Sequence, residues 1–136
     1  INIEFNMAAT KESIQNQIKK ELENFQGIQK NIQKTIGTRQ KLDAQLNENK
    51  VVLEELNHIN DGSIYKLIGP VLVKQDPAEA KDTVTKRIEY ITKEIERHDK
   101  VIKDLESKFE NHKQTLGGLQ QQFQQLAMQA KTTAAN

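Results

Sequence analysis

Catalysis in this chain would have to come from three histidines, a few adjacent carboxylates and one pair of glycines. His98 and His112 fall on the apolar seam of the same helical pattern. Their separation along one helix is roughly 21 Å at 1.5 Å per residue, too far to share a metal ion. His58 stands near the end of an earlier helix with no second ligand in sight. Imidazoles packed among Leu and Ile are the expectation at the two seam positions, so no metal site is assigned. Glu54 and Glu55 read as a solvated helix face, because no pocket would raise the pKa of one against the other. Gly117 and Gly118 lack the preceding strand and following lysine of a phosphate loop. With no cysteine either, thiolate chemistry and disulfides are excluded. The sequence therefore names no catalytic residue, no metal and no cofactor; what it does, it does by binding.

The elements that would present a binding surface are written in the heptads. From Val84 onward one set of positions reads Ile88, Ile95, Ile102, Phe109, Leu116, Phe123, Ala130. The other reads Val84, Ile91, His98, Leu105, His112, Leu119, Leu126. A 3.5-residue repeat sustained this long makes a narrow stripe suited to one partner helix. An earlier pattern over residues 9–59 carries Ile14, Ile18, Leu22, Phe25, Ile28, Ile32 and Ile36, then Leu42, Leu46, Leu53 and Leu56, with Asn49 on the seam. Its phase shifts between Ile36 and Leu42, where a local change of supercoil is expected. Both helices are about 50 residues, roughly 75 Å each, and near-equal lengths joined by a short connection imply an antiparallel helical hairpin.

The connection is itself structured. Asn60-Asp61-Gly62 stops the first helix, and residues 64–68 and 71–75, rich in Val, Ile, Leu and Tyr, flank Gly69-Pro70, the pattern of two strands and a tight turn. Asp76 can cap the second helix, Pro77 suits its first turn, and Glu79 is the acid of a capping box. A lone two-stranded hairpin is marginal in water and presents two open edges. Ile64, Tyr65, Leu67, Ile68, Val71, Leu72 and Val73 are therefore expected to join strands of other chains. The fold class is α-dominated: a long antiparallel coiled coil with a central two-stranded β-hairpin.

Composition sets the outer limits. Hydrophobic residues are 35% and aromatics 4%, too lean for one chain to build a compact core, so burial must come from helix pairing and from other subunits. Lys and Arg number 20 against 19 Asp and Glu, which leaves no basic footprint for nucleic acid or an anionic membrane. No stretch approaches the roughly 20 apolar residues of a membrane span, and no signal peptide is evident. A soluble intracellular protein is expected. Residues 1–6 have no pattern and read as a cloning remnant ahead of a native start at Met7, followed by one domain over 7–136. That domain comprises a helix over 9–59, a hairpin over 63–75, a helix over 77–130 and a tail over 131–136.

RQKLDAQLNEN (residues 39–49), YKLIGPVLVKQ (65–75), KRIEYI (86–91) and QQQFQQL (120–126) closely resemble the prefoldin family, in its β-type subunits. The match covers essentially everything after Met7, and the 66–75 block is its most specific part. The resemblance implies a heterohexamer of two α-type and four β-type subunits, in which this chain joins two α-type and three further β-type partners. It implies that the hairpins form an inter-subunit β-barrel from which coiled-coil tentacles extend. The tips would hold unfolded actin and tubulin and pass them to the cytosolic group II chaperonin without ATP, placing the protein in the cytoplasm with no nucleic-acid or membrane partner.

One stretch of residues bears on the tip independently. Charge crowds the non-seam positions up to Lys113, then vanishes from 114 to 130. In an antiparallel hairpin that segment lies beside residues 8–22. Gly117 and Gly118 each cost a helix about 1 kcal/mol relative to alanine, which favours local opening. Ile14, Ile18, Leu22, Leu116, Leu119, Phe123, Leu126 and Met128 are thus candidates for client contact, Met128 being the most adaptable. Periodicity alone favours the plainer reading, in which they merely complete the coiled coil; the resemblance reverses that preference. A tethering coiled coil that docks fixed partners is the alternative function.

Overall fold

The computed structural model describes residues 3–59 and 62–135, with side chains described for 6–59 and 62–132. Helix α1 runs Ile3–Asn57, strand β1 Ile64–Ile68, strand β2 Val71–Gln75 and helix α2 Pro77–Ala135. The expected α-dominated class, two long helices around a central antiparallel hairpin, is the observed one. Helix α1 starts before its expected limit and stops at Asn57, two residues short of the expected 59, while α2 runs past its expected end. On α1, Met7 sits one heptad before Ile14 and is half-buried, and the Thr10 hydroxyl donates to the Asn6 carbonyl. Helix therefore begins at Ile3, within the stretch read as patternless, and not near Ala9. On α2, residues 131–135 contain neither Gly nor Pro, and Thr132 Oγ1 donates to the Met128 carbonyl. The expected tail is thus helical to Ala135.

The end of α1 is built from backbone and one imidazole. His58 N donates to the Glu55 carbonyl and Ile59 N to that of Leu56, the three-residue bonds that tighten a last helical turn. His58 Nδ1 lies 2.7 Å from the Glu54 carbonyl oxygen, so Nδ1 carries the proton and caps an otherwise orphaned acceptor. The stop signal expected at Asn60 and Asp61 lies outside the described residues. At the start of α2, Ala80 N donates to the Asp76 carbonyl, with Pro77 as first helical residue and Glu79 in the first turn.

Contacts divide the chain into two units. One comprises Ile1–Lys34 with Ile102–Asn136, the other Thr35–Val101. In the second unit Leu56, Ala80 and Val84 form a buried cluster, backed by Leu53, Ile59, Ile64 and Ile88. Further along the same unit Ile91 and Ile95 are buried. Every seam position from Val84 to Leu126 is buried or half-buried; Ala130 breaks the lattice by being exposed, with Ala127 turned inward instead. The phase shift on α1 is visible residue by residue: Thr35 and Arg39 are half-buried while Ile36 is exposed. Among the described residues of the first unit Ile14 is the buried side chain, and Phe25 stacks on Phe109, ring centroids 4.3 Å apart. No side chain among the described residues is fully enclosed, and none of the described helices is long and apolar enough to cross a membrane.

Candidate functional site

The hairpin pairs Ile64 with Gln75, Tyr65 with Lys74, Lys66 with Val73, Leu67 with Leu72 and Ile68 with Val71. Gly69 at φ +57° and Pro70, whose ring holds φ near −65°, make the two-residue turn. A positive φ at the first central residue only is the type II′ geometry that suits the twist of a hairpin. A two-residue turn makes Ile68 and Val71 a hydrogen-bonded pair, and bonding alternates from there. Leu67 and Leu72, and Tyr65 and Lys74, are therefore the non-bonded pairs whose N–H and C=O groups point to the open edges.

Side chains give the same picture as the backbone. Leu67 is 67% exposed, Leu72 64%, and Tyr65, Ile68, Val71 and Val73 are also exposed. Ile64 is the exception: half-buried, it packs on the Leu56–Val84 cluster and anchors the hairpin to its own helices. Six of the ten strand residues are exposed apolar side chains, and the two-stranded sheet leaves an unpaired backbone edge on each side.

In the other unit, the eight candidate tip residues separate. Ile14 is buried; Ile18, Leu116, Leu119, Phe123 and Leu126 are half-buried along the seam. Leu22 is 42% exposed and Met128 69% exposed. Lys11 lays its ammonium 5.2 Å from the Phe123 ring centroid, a cation–π contact across the helices. Beside Gly117 and Gly118 there is open space, as their outward lattice positions require.

Two polar contacts between the helices were not legible in the heptads. His112 was expected among Leu and Ile; its Nδ1 instead meets Glu21 Oε2 at 2.5 Å, both side chains largely shielded. Arg39 Nε reaches Asp99 Oδ1, and this pair raises the Arg39 pKa, chiefly through the hydrogen bond. His98 keeps to its own helix, its Nδ1 donating to the Glu94 carbonyl at 2.7 Å. The Glu94 carboxyl in turn accepts from Arg97, which holds its pKa below the ordinary carboxylate value against partial desolvation. Among the described residues no three His, Asp or Glu side chains gather as a metal site would need.

Comparison with known proteins agrees over most of the chain. A family model described as "Prefoldin subunit" matches residues 19–126. "Prefoldin subunit 6" of Bos taurus is 49% identical over 125 residues, spanning 90% of this chain and 95% of that protein. Its Homo sapiens counterpart shows the same identity and coverage, and that of Arabidopsis thaliana is 44% identical over 118 residues, 86% of this chain and 92% of that one. The crystal structure of the prefoldin beta subunit from Thermococcus strain KS-1 superposes with a TM-score of 0.71, covering 75% of this chain and 90% of that one. Its 22% identity makes it a likeness of fold.

Proposed function

This chain belongs to the prefoldin subunit family, and we propose that it is a β-type subunit of an ATP-independent heterohexameric co-chaperone. In this reading the hairpin joins strands of neighbouring subunits, two α-type and three further β-type, in a shared β-barrel. The coiled-coil ends hold unfolded polypeptides such as actin and tubulin and pass them to the cytosolic group II chaperonin. The protein works in the cytoplasm and is not an enzyme.

The observation that carries the reading is the hairpin. Its six exposed apolar side chains are covered by nothing among the described residues, and burying such a side chain completely from full exposure is worth roughly 1.5–3 kcal/mol. Because the six retain 44–67% of their surface in solvent, the gross gain is little more than half the full value, roughly 5–10 kcal/mol, which lies within the range of an association cost of about 4–15 kcal/mol. The client end is supported by the uncharged 114–130 segment. Apolar contact without a charge pattern discriminates poorly among partners, which suits a holdase. Exposed Leu22 and Met128 are the residues available there without any opening of the seam; Leu119, Phe123 and Leu126 become available when it loosens. The test is suppression of actin aggregation by the hexamer reconstituted around this chain. A tethering coiled coil would leave the aggregation unaffected.

A further inference from the structure

The KRIEYI stretch contributes only Ile88 and Ile91 to the seam, and its remaining residues are charged or aromatic. Tyr90 is 66% exposed. It borders an open groove of about 580 Å³ whose lining includes Asn49, Thr83, Arg87 and Tyr90. A second hollow shares Thr83 and Arg87 with the first and continues over Val52 to Tyr65 on β1. Asn49 and Val52 lie on one face of α1, and Thr83, Arg87 and Tyr90 on one face of α2, by their spacing of three and four residues. The two hollows therefore form a single lateral strip that begins at the strand and climbs the helix pair, all within residues 35–101.

The strip has the make-up of an interface. Tyr65, Val52 and Tyr90 present 55%, 42% and 66% of their surface to solvent. Tyr and Arg are the residue types that anchor protein contacts. Its charges are also informative. Lys86 is neutralised by Asp82 at 2.9 Å, whereas Arg87 has no ion-pair or hydrogen-bond partner among the described residues. A cation left unpaired between two exposed aromatic rings matches a carboxylate brought by the occupant.

We propose that this strip seats the neighbouring subunit that pairs with the β1 edge, Tyr90 and Val52 covering an apolar side chain and Arg87 pairing with an acidic one. The occupant is assigned by continuity. Tyr65 belongs both to the strip and to the pair whose backbone points to the open edge, so a strand added there carries one of its flanking segments toward the strip. This rests on the heterohexamer reading, and extends the subunit contact from backbone pairing, which any strand could make, to side chains that select one neighbour.

The test places a benzoylphenylalanine photocrosslinker at Tyr90 in the hexamer reconstituted from all six subunits. In parallel, Arg87→Glu is titrated for co-assembly by mass photometry. The expected results are a crosslink to one neighbouring subunit and a half-assembly concentration raised about tenfold or more by the charge reversal. Changing the crosslinked neighbour's acidic residue to lysine should restore assembly of the Arg87→Glu chain. Unchanged melting of the isolated Arg87→Glu chain excludes misfolding as the cause. Crosslinks only to unfolded client, crosslinks to nothing, or wild-type assembly of Arg87→Glu would each overturn the proposal. A wild-type chain that does not co-assemble at all would overturn the heterohexamer reading as well, so the two failures are distinct.

Discussion

Proline at Leu72 separates the open edge of the hairpin from the hairpin itself. Because Ile68 and Val71 flank a two-residue turn, Leu72 is in a non-bonded pair with Leu67 and its N–H points away from β1. Leu72→Pro therefore removes no bond inside the hairpin. Val73, paired with Lys66, is in a bonded position, so Val73→Pro breaks the ladder within the chain and serves as the contrasting variant. In an assembled barrel, losing the Leu72 donor strands a buried carbonyl on the neighbour, at about 1–3 kcal/mol. Leu72 is 64% exposed in the single chain, so its burial is gained at the interface. Trimming leucine to proline forfeits roughly another 1 kcal/mol of apolar contact. A total of about 2–4 kcal/mol raises the assembly concentration by roughly thirtyfold to a thousandfold, tenfold for each 1.4 kcal/mol. The assay mixes the variant with the other five subunits over a dilution series and reads hexamer by size exclusion and mass photometry. The isolated Leu72→Pro chain should melt as wild type does, since the Leu56–Val84 cluster and Ile64 are untouched. Hexamer formation at wild-type concentrations would refute the reasoning, because it would mean that the β2 edge pairs with nothing.

Three further outcomes follow from the two units taken separately. Ile95→Ala should cost about 2–5 kcal/mol, nearer the lower figure because Ile95 retains 8% exposure. Calorimetry should show a lower melting temperature, with client capture intact below it. Phe123→Ser with Leu126→Ser, matched by equivalent changes in several subunits, should weaken suppression of actin aggregation while leaving hexamer mass unchanged; truncation after Lys113 should act in the same direction. Glu94 is held below its ordinary pKa by Arg97, so its ionised form stabilises the fold at neutral pH and the benefit is lost as pH falls through the lowered value. Glu94→Gln should melt lower than wild type at neutral pH, and the difference should close on acidification; a pH-independent gap would show that the Arg97 contact contributes nothing.

Most of the architecture was determined locally. The heptad lattice, the Asp76-Pro77 start of α2 and the Gly69-Pro70 turn are each set by residues within one or two turns of one another, where periodicity and backbone preference act directly. The strands were legible for the same reason, and their exposure was foreseeable because two strands cannot satisfy four edges' worth of backbone. What the sequence left open depends on distance along the chain. A heptad says that a residue faces the seam, but not which residue stands opposite, since axial register follows from the geometry of the connection and the phase shift on α1. Thus the lattice puts His112 on the seam, while Glu21, which meets it, carries no signal of its own. Arg39 and Asp99 are the same case, sixty residues apart in the chain. Exposure at the rim of the stripe likewise needed the folded helices. Leu22 and Met128 fall on or beside seam positions yet stand in solvent, while Ile64 turns inward among strand neighbours that face out. The strip around Tyr90 exists only because α1, α2 and β1 bring together residues that no stretch of sequence holds side by side.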